Sequence, residues 1–396
     1  MSLLAAAERF ASMDRSNIVL DTKRCLYSQD QYSECAACFS ICPVQAISAG
    51  EPPVLNSELC QSCLACLPTC PVGAYRADDD VADLLNCATH IEEQTIELVC
   101  GLHPHPECGI DSESIGIQIR GCLAGLVTGA YLTLSTLGVA RILSRTDACC
   151  ACKWQSLGCE IHNQIKRANR FLSMWDKADS VICVDNIESR VERVLWNAKN
   201  PPVSRRDLFR LMARQGQLTM ARAMENGVAT TERKPGRDRL RLLSAVSHLR
   251  EIHKPAPEIQ NVLDGFDFAT ITISDSCTAC GACGKACPTQ ALKFEKNDEE
   301  LTFSISFLAK NCIGCDICAH VCMPDAITLH HAPTFEDIFG AKEPAIAESG
   351  LLVRCERCKT LMAKRGDVTL CTLCEYRRTH PFGSMMPKKM VRETYS

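Results

Sequence analysis

Cys277-Thr-Ala-Cys280-Gly-Ala-Cys283-Gly-Lys-Ala-Cys287-Pro288, answered downstream by Cys312-Ile-Gly-Cys315-Asp-Ile-Cys318-Ala-His-Val-Cys322, decides how this chain is read. Three thiolates separated by two residues each can grip one four-iron cubane, and the fourth cysteine of each run crosses to ligate the neighbouring one. The spacing therefore groups Cys277, Cys280 and Cys283 with Cys322, and Cys287 with Cys312, Cys315 and Cys318. Pro288 keeps the chain from turning helical at the crossover cysteine, and Thr289-Gln-Ala-Leu292 follows as a short apolar stretch able to pack against a cubane. In the second run Met323 intervenes before Pro324-Asp-Ala-Ile327.

The same grammar recurs near the N-terminus. Cys60-x2-Cys63-x2-Cys66-x3-Cys70-Pro71 is complete, whereas Cys25-x9-Cys35-x2-Cys38-x3-Cys42-Pro43 carries a loop, 26–34, between its first two cysteines. A loop of that size costs little closure entropy, since the cost grows only logarithmically with length. Cys25, Cys35, Cys38 and Cys70 are expected to hold one cubane, and Cys42, Cys60, Cys63 and Cys66 its neighbour. The alternative leaves Cys25 a buried bystander beside a three-iron cluster. Val44-Gln-Ala-Ile47 and Val72-Gly-Ala-Tyr75 repeat the apolar stretch after the crossover residue. Each block resembles a two-cluster bacterial ferredoxin, which implies two dicluster modules, four 4Fe–4S clusters and electron transfer as their work.

Sixteen of the chain's 29 cysteines are thereby accounted for. A secreted protein this rich in cysteine is normally a small disulfide scaffold, so 396 residues with clustered C-x2-C pairs point instead to a cytoplasmic metalloprotein. The start, Met1-Ser-Leu-Leu-Ala-Ala-Ala-Glu8-Arg9, lacks a basic segment leading into a long apolar one, so no signal peptide is expected. The formal net charge is -4. Four oxidised cubanes with their thiolates, at about -2 each, would take it to roughly -12, which argues against binding nucleic acid by bulk charge.

Between the two blocks the pattern changes. Ile96-Glu-Leu-Val-Cys100, Ile115-Gly-Ile-Gln-Ile119, Val139-Ala-Arg-Ile-Leu143 and Val181-Ile-Cys-Val184 read as strands, with helices expected over 123–137 and 159–176. Such alternation predicts a small parallel α/β domain, in which ligands gather beyond the carboxyl ends of the strands. Cys100, Cys122, Cys149, Cys150 and Cys152 fall there. The uncharged stretch 121–140, with Gly121, Gly125 and Gly129 at four-residue spacing, approaches transmembrane length. Its threonines and serines, and Gly138 before the next strand, favour a buried core helix and no membrane span.

The cysteine pattern of this region resembles the small iron–sulfur domain of methyl-viologen-reducing hydrogenase delta subunits. The resemblance implies a 2Fe–2S centre, with Cys100, Cys122, Cys149 and Cys152 as first-choice ligands and Cys150, Cys108 and Cys159 as substitutes. Two other readings stay open. Cys100-x2-His103-x-His105-x2-Cys108 would suit a zinc or Rieske-like site, and the thiols could simply be buried. A nucleophilic thiolate at Cys150 or Cys152 would need a base or cation, for which Lys153 and His162 are the nearby candidates.

From Pro201 to Asp267 the composition turns arginine-rich. Ser204-Arg-Arg-Asp-Leu-Phe209 has the look of a twin-arginine signal. Its mid-chain position favours an amphipathic linker helix whose arginines are solvated, meet an acidic partner or offset cluster charge. Near the C-terminus, Cys355-x2-Cys358-x12-Cys371-x2-Cys374 offers tetrahedral sulfur coordination for zinc, or for a rubredoxin-like iron.

The expected architecture is thus α+β and multidomain. A ferredoxin module spans 18–80, a cysteine-rich α/β domain 81–200, a helical linker 201–268, a second ferredoxin module 269–332 and a zinc-ribbon-like tail 333–396. Taken whole, the chain resembles polyferredoxin-type electron-transfer subunits of anaerobic oxidoreductase complexes. That implies a partner catalytic subunit carrying flavin, molybdenum or nickel, since neither a G-x-G-x-x-G fingerprint nor a P-loop occurs in this chain. The expected route runs from the partner through one cluster pair to the other, either directly or by way of the middle centre. An autonomous reductase centred on the middle domain, and an iron- or oxygen-sensing assembly protein, are the alternatives from other classes.

Overall fold

The computed structural model describes residues 18–29, 33–50, 52–91, 94–187, 191–202, 233–253, 263–341 and 343–380. The Ser204–Phe209 arginine motif lies outside them. At the centre is a five-stranded parallel sheet, in the order Leu195–Asn197, Ile115–Gln118, Thr95–Val99, Arg141–Arg145, Val181–Val184. Thr95–Val99 has four of its five residues buried, as expected of a strand covered on both faces. The short strand Leu195–Asn197 adds an edge that three residues are too few to announce by pattern.

The helix expected over 123–137 begins later. Leu123–Gly125 forms a 3-10 turn, Leu126 and Val127 are extended, and the α-helix runs Thr128–Thr136. Seven of its nine residues are buried, so its polar threonines and serines do not mark a solvent face. The glycine spacing that mimics a membrane helix serves close packing here. A Cβ on Gly129 would stand 2.7 Å from the backbone nitrogen of Leu242, and one on Gly121 would stand 3.0 Å from the carbonyl of Cys63. Among the described residues no helix is long and apolar enough to cross a membrane.

Leu242 belongs to the helix Arg237–Ile252, which is no free linker. Leu242, Leu243, Ala245, Val246 and Leu249 are buried along one stripe and join the core of the parallel-sheet domain. At about 1.5–3 kcal/mol for each large apolar side chain, this stripe offsets part of the cost of ordering the helix and fixes which face meets the sheet domain. Its arginines meet acid within the chain. Arg237 and Arg241 both pair with Asp79, the N-cap of the helix Asp80–Ala88. Phe171, Phe266, Phe268, Phe335 and Phe339 form a further cluster, with Phe335 and Phe339 ring centroids 4.8 Å apart. It ties the helix Gly158–Leu172 to the segments on both sides of the second cysteine block.

The two cysteine blocks fold alike. In each, the first and last strands pair antiparallel: Val19–Leu20 with Tyr75–Arg76, and Thr270–Ile273 with Ile327–His330. Between them lies a hairpin, Ile47–Ser48 with Val54–Leu55 in one and Leu292–Asn297 with Thr302–Phe307 in the other. In the second block the hydrogen bonding runs on past residue 332. The long strand Ala345–Arg354 pairs with Thr302–Phe307 and is itself paired by Leu361–Ala363.

Candidate metal centres

The cysteine grammar has a backbone counterpart. Two and four residues after Cys60, Cys277 and Cys312 the chain adopts positive φ: Ser62 and Leu64, Ala279 and Gly281, Gly314 and Asp316. Three residues after each crossover cysteine it does so again, at Gln45, Gly73, Gln290 and Asp325. Left-handed turns cost non-glycine residues roughly 1–2 kcal/mol each, so their recurrence at equivalent positions marks a constraint shared by every run. One consequence is visible at sulfur. The backbone N–H groups of Ala46, Ala74 and Ala326 each donate to the sulfur of Cys42, Cys70 and Cys322 at 3.2 Å. Amides aimed at sulfur are the fold's means of stabilising thiolates around a cluster. The run beginning at Cys25 departs from the pattern, with Ala36 at φ -107°.

Charge interactions between thiols link cysteines within each of the four expected groups. Burial, then the charges of Cys35, Cys70 and Cys25, raise the Cys38 thiol, and Cys25 itself is raised by burial and by Cys70. Cys66 is raised by burial and by Cys63, Cys60 and Cys42. Cys283 is pushed up to about 11 by burial and by Cys280, Cys277 and Cys322. Cys315 reaches about 12 through burial and the charges of Cys287 and Cys312, and Cys318 also faces Cys312, Cys315 and Cys287. Thiols raised in this way must lose protons to bind metal, so cluster assembly here releases protons. Among the described residues no cysteine forms a disulfide. Cys25 neighbours Cys35, Cys38 and Cys70.

The quartets also touch one another. Tyr75, buried among Cys38, Cys66 and Cys70, bridges the two N-terminal ones; burial and those thiols hold its hydroxyl well above the ordinary phenol range. Cys318 neighbours Cys283 in the C-terminal pair. Between the modules, Cys25, Leu26, Val72, Ala74, Ile313 and Ile317 form a single buried cluster, flanked by Cys35, Cys70 and Cys315. The quartet of Cys25, Cys35, Cys38 and Cys70 therefore abuts that of Cys287, Cys312, Cys315 and Cys318.

In the parallel-sheet domain, Cys100, Cys122, Cys149 and Cys152 converge beyond the carboxyl ends of three strands. Burial and then Cys100, Cys149 and Cys63 raise Cys122 to about 12, and burial with Cys100 and Cys152 takes Cys149 to about 12. Cys63 belongs to the N-terminal module, and the Cys122 N–H donates to its carbonyl at 3.1 Å. Trp154 Nε1 donates to Gln61 Oε1, also at 3.1 Å. This quartet thus adjoins Cys42, Cys60, Cys63 and Cys66 at one end of the row. The two ferredoxin modules also touch each other directly, without this quartet between them.

Two alternatives for this domain gain no support from the side-chain contacts. His103 is buried, with Nε2 3.3 Å from Asp147 and Nδ1 accepting from the His105 N–H. Both nitrogens are engaged, while His105 is half exposed beside Glu107, so the Cys-His-His-Cys grouping does not converge. As for a base near Cys150 or Cys152, Lys153 lies over the Trp154 ring and His162 is held by Asp185 and the Gly158 carbonyl. Both have partners other than those thiols.

A buried charge network, missed in the sequence, braces the loop that follows Cys100. Glu97 and Arg145 are fully buried and paired at 3.2 Å. Glu97 also accepts from Ser114 and Ile110, and Arg193 lies 3.3 Å away. Arg145 grips Asp147 with two donors, at 2.9 and 3.1 Å, and donates to the Cys108 carbonyl. Burial would push the Asp147 carboxyl up, but hydrogen bonds from His103 and Arg145 hold it well below the usual range. A charged residue inside an apolar strand carries no pattern of its own, which is why Glu97 escaped notice.

At the C-terminal end, the sulfurs of Cys355, Cys358, Cys371 and Cys374 all lie within 4.8 Å of one another. This spacing fits a single tetrahedral ion with sulfur ligands at about 2.3 Å. N–H groups of Cys358 and Cys371 bring the Cys355 thiol down to about 6, which favours a cation. The knuckles also reach the neighbouring module. Ala363 N–H donates to the Thr278 carbonyl at 3.1 Å, and Arg365 donates to the Cys277 carbonyl at 3.4 Å.

A family model for a 4Fe–4S dicluster domain matches residues 276–326. The chain carries a ferredoxin-like 4Fe–4S dicluster domain. The match covers the Cys277–Cys322 module, whose strand pairing and positive-φ turns the N-terminal block repeats. It supports iron–sulfur binding and electron transfer. No curated protein matches the chain.

Zinc bound in zinc-finger peptides contributes roughly 10–16 kcal/mol to folding. With such an ion held by these four cysteines, Cys374→Ala should abolish ordered packing of the knuckles and lower the thermal midpoint. Because the knuckles hold Thr278 and Cys277, it should also make iron at the Cys277 quartet the first to be lost to a chelator. Differential scanning calorimetry with timed iron release checks this; unchanged unfolding and unchanged release would refute it.

Proposed function

We propose that this protein is a polyferredoxin-type electron-transfer subunit holding four 4Fe–4S clusters, a 2Fe–2S centre and a structural zinc. The observation that carries this reading is the unbroken succession of cysteine quartets through the molecule. Cys100, Cys122, Cys149 and Cys152 come first, then Cys42, Cys60, Cys63 and Cys66, then Cys25, Cys35, Cys38 and Cys70. Cys287, Cys312, Cys315 and Cys318 follow, and Cys277, Cys280, Cys283 and Cys322 end the row. Each cluster, when bound, supplies a one-electron carrier. The protein's part is to hold the thiolates, aim amides at them and pack apolar side chains between neighbouring sites.

In this reading the middle domain, with its likeness to hydrogenase delta subunits, is one terminus of the row. The exposed thiol of Cys280 marks the other. A catalytic oxidoreductase subunit bearing flavin, molybdenum or nickel would exchange electrons at one end and a second carrier at the other. Anaerobic metal and acid-labile sulfide analysis tests this. About sixteen irons per chain are expected for the cubanes, and about eighteen with the two-iron centre, beside one zinc. Zinc in place of iron throughout would overturn it.

A further inference from the structure

Arg239 stands at the seam between the two ferredoxin modules. Its helix, Arg237–Ile252, is fixed by the buried leucine stripe and by the ion pairs to Asp79. The guanidinium carbon lies 3.5 Å from the centroid of the Phe268 ring, and the terminal nitrogen donates to the carbonyls of Cys312 and Asp267. Its Nε is shielded from solvent and has no hydrogen-bond partner among the described residues. Arg239, Cys70, Pro71 and Ile313 line one cavity of about 190 Å³. A cation of planar shape is thus held where candidate cluster ligands of both modules approach each other.

Reduction adds negative charge to a cluster, and the potential follows the local charge, hydrogen bonding and exposure. A positive charge sheltered from water acts on such a centre far more strongly than one on the surface. We propose that Arg239 is a positioning and tuning residue of the inter-module junction, raising the reduction potential of the centre held by Cys287, Cys312, Cys315 and Cys318. The inference rests on reading those four cysteines as cubane ligands. A purely structural prop between the helix and Phe268 would brace the seam without moving a potential.

The test is an EPR-monitored redox titration of the anaerobic holoprotein, wild type against Arg239→Met and Arg239→Lys, with iron counted in each. Arg239→Met with full iron should lower the reduced-to-oxidised ratio of the junction centre about tenfold at fixed potential, ~59 mV for a one-electron couple. The Cys277 quartet, farther along the row, should not move, and Arg239→Lys should recover most of the wild-type potential. Full iron with no shift, or an equal shift at every centre, overturns the tuning role. If Arg239→Met loses iron, Arg239→Lys decides: near-wild-type potential supports the proposal, and a full downward shift overturns it. Absence of iron from the wild-type quartet would instead defeat the ligand reading itself.

Discussion

Cys315→Ala is expected to remove roughly four of about sixteen irons and to part the two ferredoxin modules magnetically. Cys315 packs against the apolar cluster of Cys25, Val72, Ala74, Ile313 and Ile317, as do Cys35 and Cys70. Paramagnetic centres packed this closely broaden one another's spectra when reduced. With its neighbour gone, the centre held by Cys25, Cys35, Cys38 and Cys70 should retain interaction only with its partner inside the N-terminal module. Its EPR signal should therefore narrow, while the iron of the N-terminal module stays in place. An N-terminal signal identical in variant and wild type would show that the modules do not communicate across this seam.

Arg145→Ala is expected to cost the parallel-sheet domain about 3–5 kcal/mol, the penalty for removing one partner of a buried ion pair. Glu97, fully buried, would keep only Arg193 as countercharge, and Asp147 would keep only His103. Domains have only about 5–15 kcal/mol in total, so the loss is a large share. Chemical denaturation followed by tryptophan fluorescence is a suitable measurement, since Trp154 and Trp175 lie in this core. The pH dependence has a definite sign. Because Asp147 is depressed, its contribution is present above the unfolded carboxylate pKa and is lost as pH falls through the folded value. In wild type the network should persist into strong acid, and in the variant the depression should shrink to what the His103 hydrogen bond still supplies. A variant within about 0.5 kcal/mol of wild type would contradict this account of the network.

Much of the site was legible because thiolate spacing is a geometric constraint written directly into the chain. The positive-φ turns follow the same spacing, and the parallel sheet was readable from apolar runs of β-branched residues ending in cysteine. What escaped was the identity of each buried partner. Ile313, Val72 and Ala74 belong to short apolar segments that could pack on a cubane, and periodicity cannot reveal that they also meet across a module boundary. The arginines of the helix Arg237–Ile252 obscured its leucine stripe, and the glycines at 121 and 129 gave the same signal for a soluble helix crossing as for a membrane one. Glu97 and Arg145 are 48 residues apart, and single charges in apolar strands announce no pairing.

The account's central claim is that the cysteine quartets form one continuous row of interacting centres. The most direct measurement is EPR of the fully reduced, anaerobically prepared native protein with iron and sulfide counted on the same sample. The account predicts about sixteen to eighteen irons per chain and spectra broadened by mutual interaction across all the cubanes. Full iron with two independent, non-interacting pairs, or quartets filled by zinc, would contradict it.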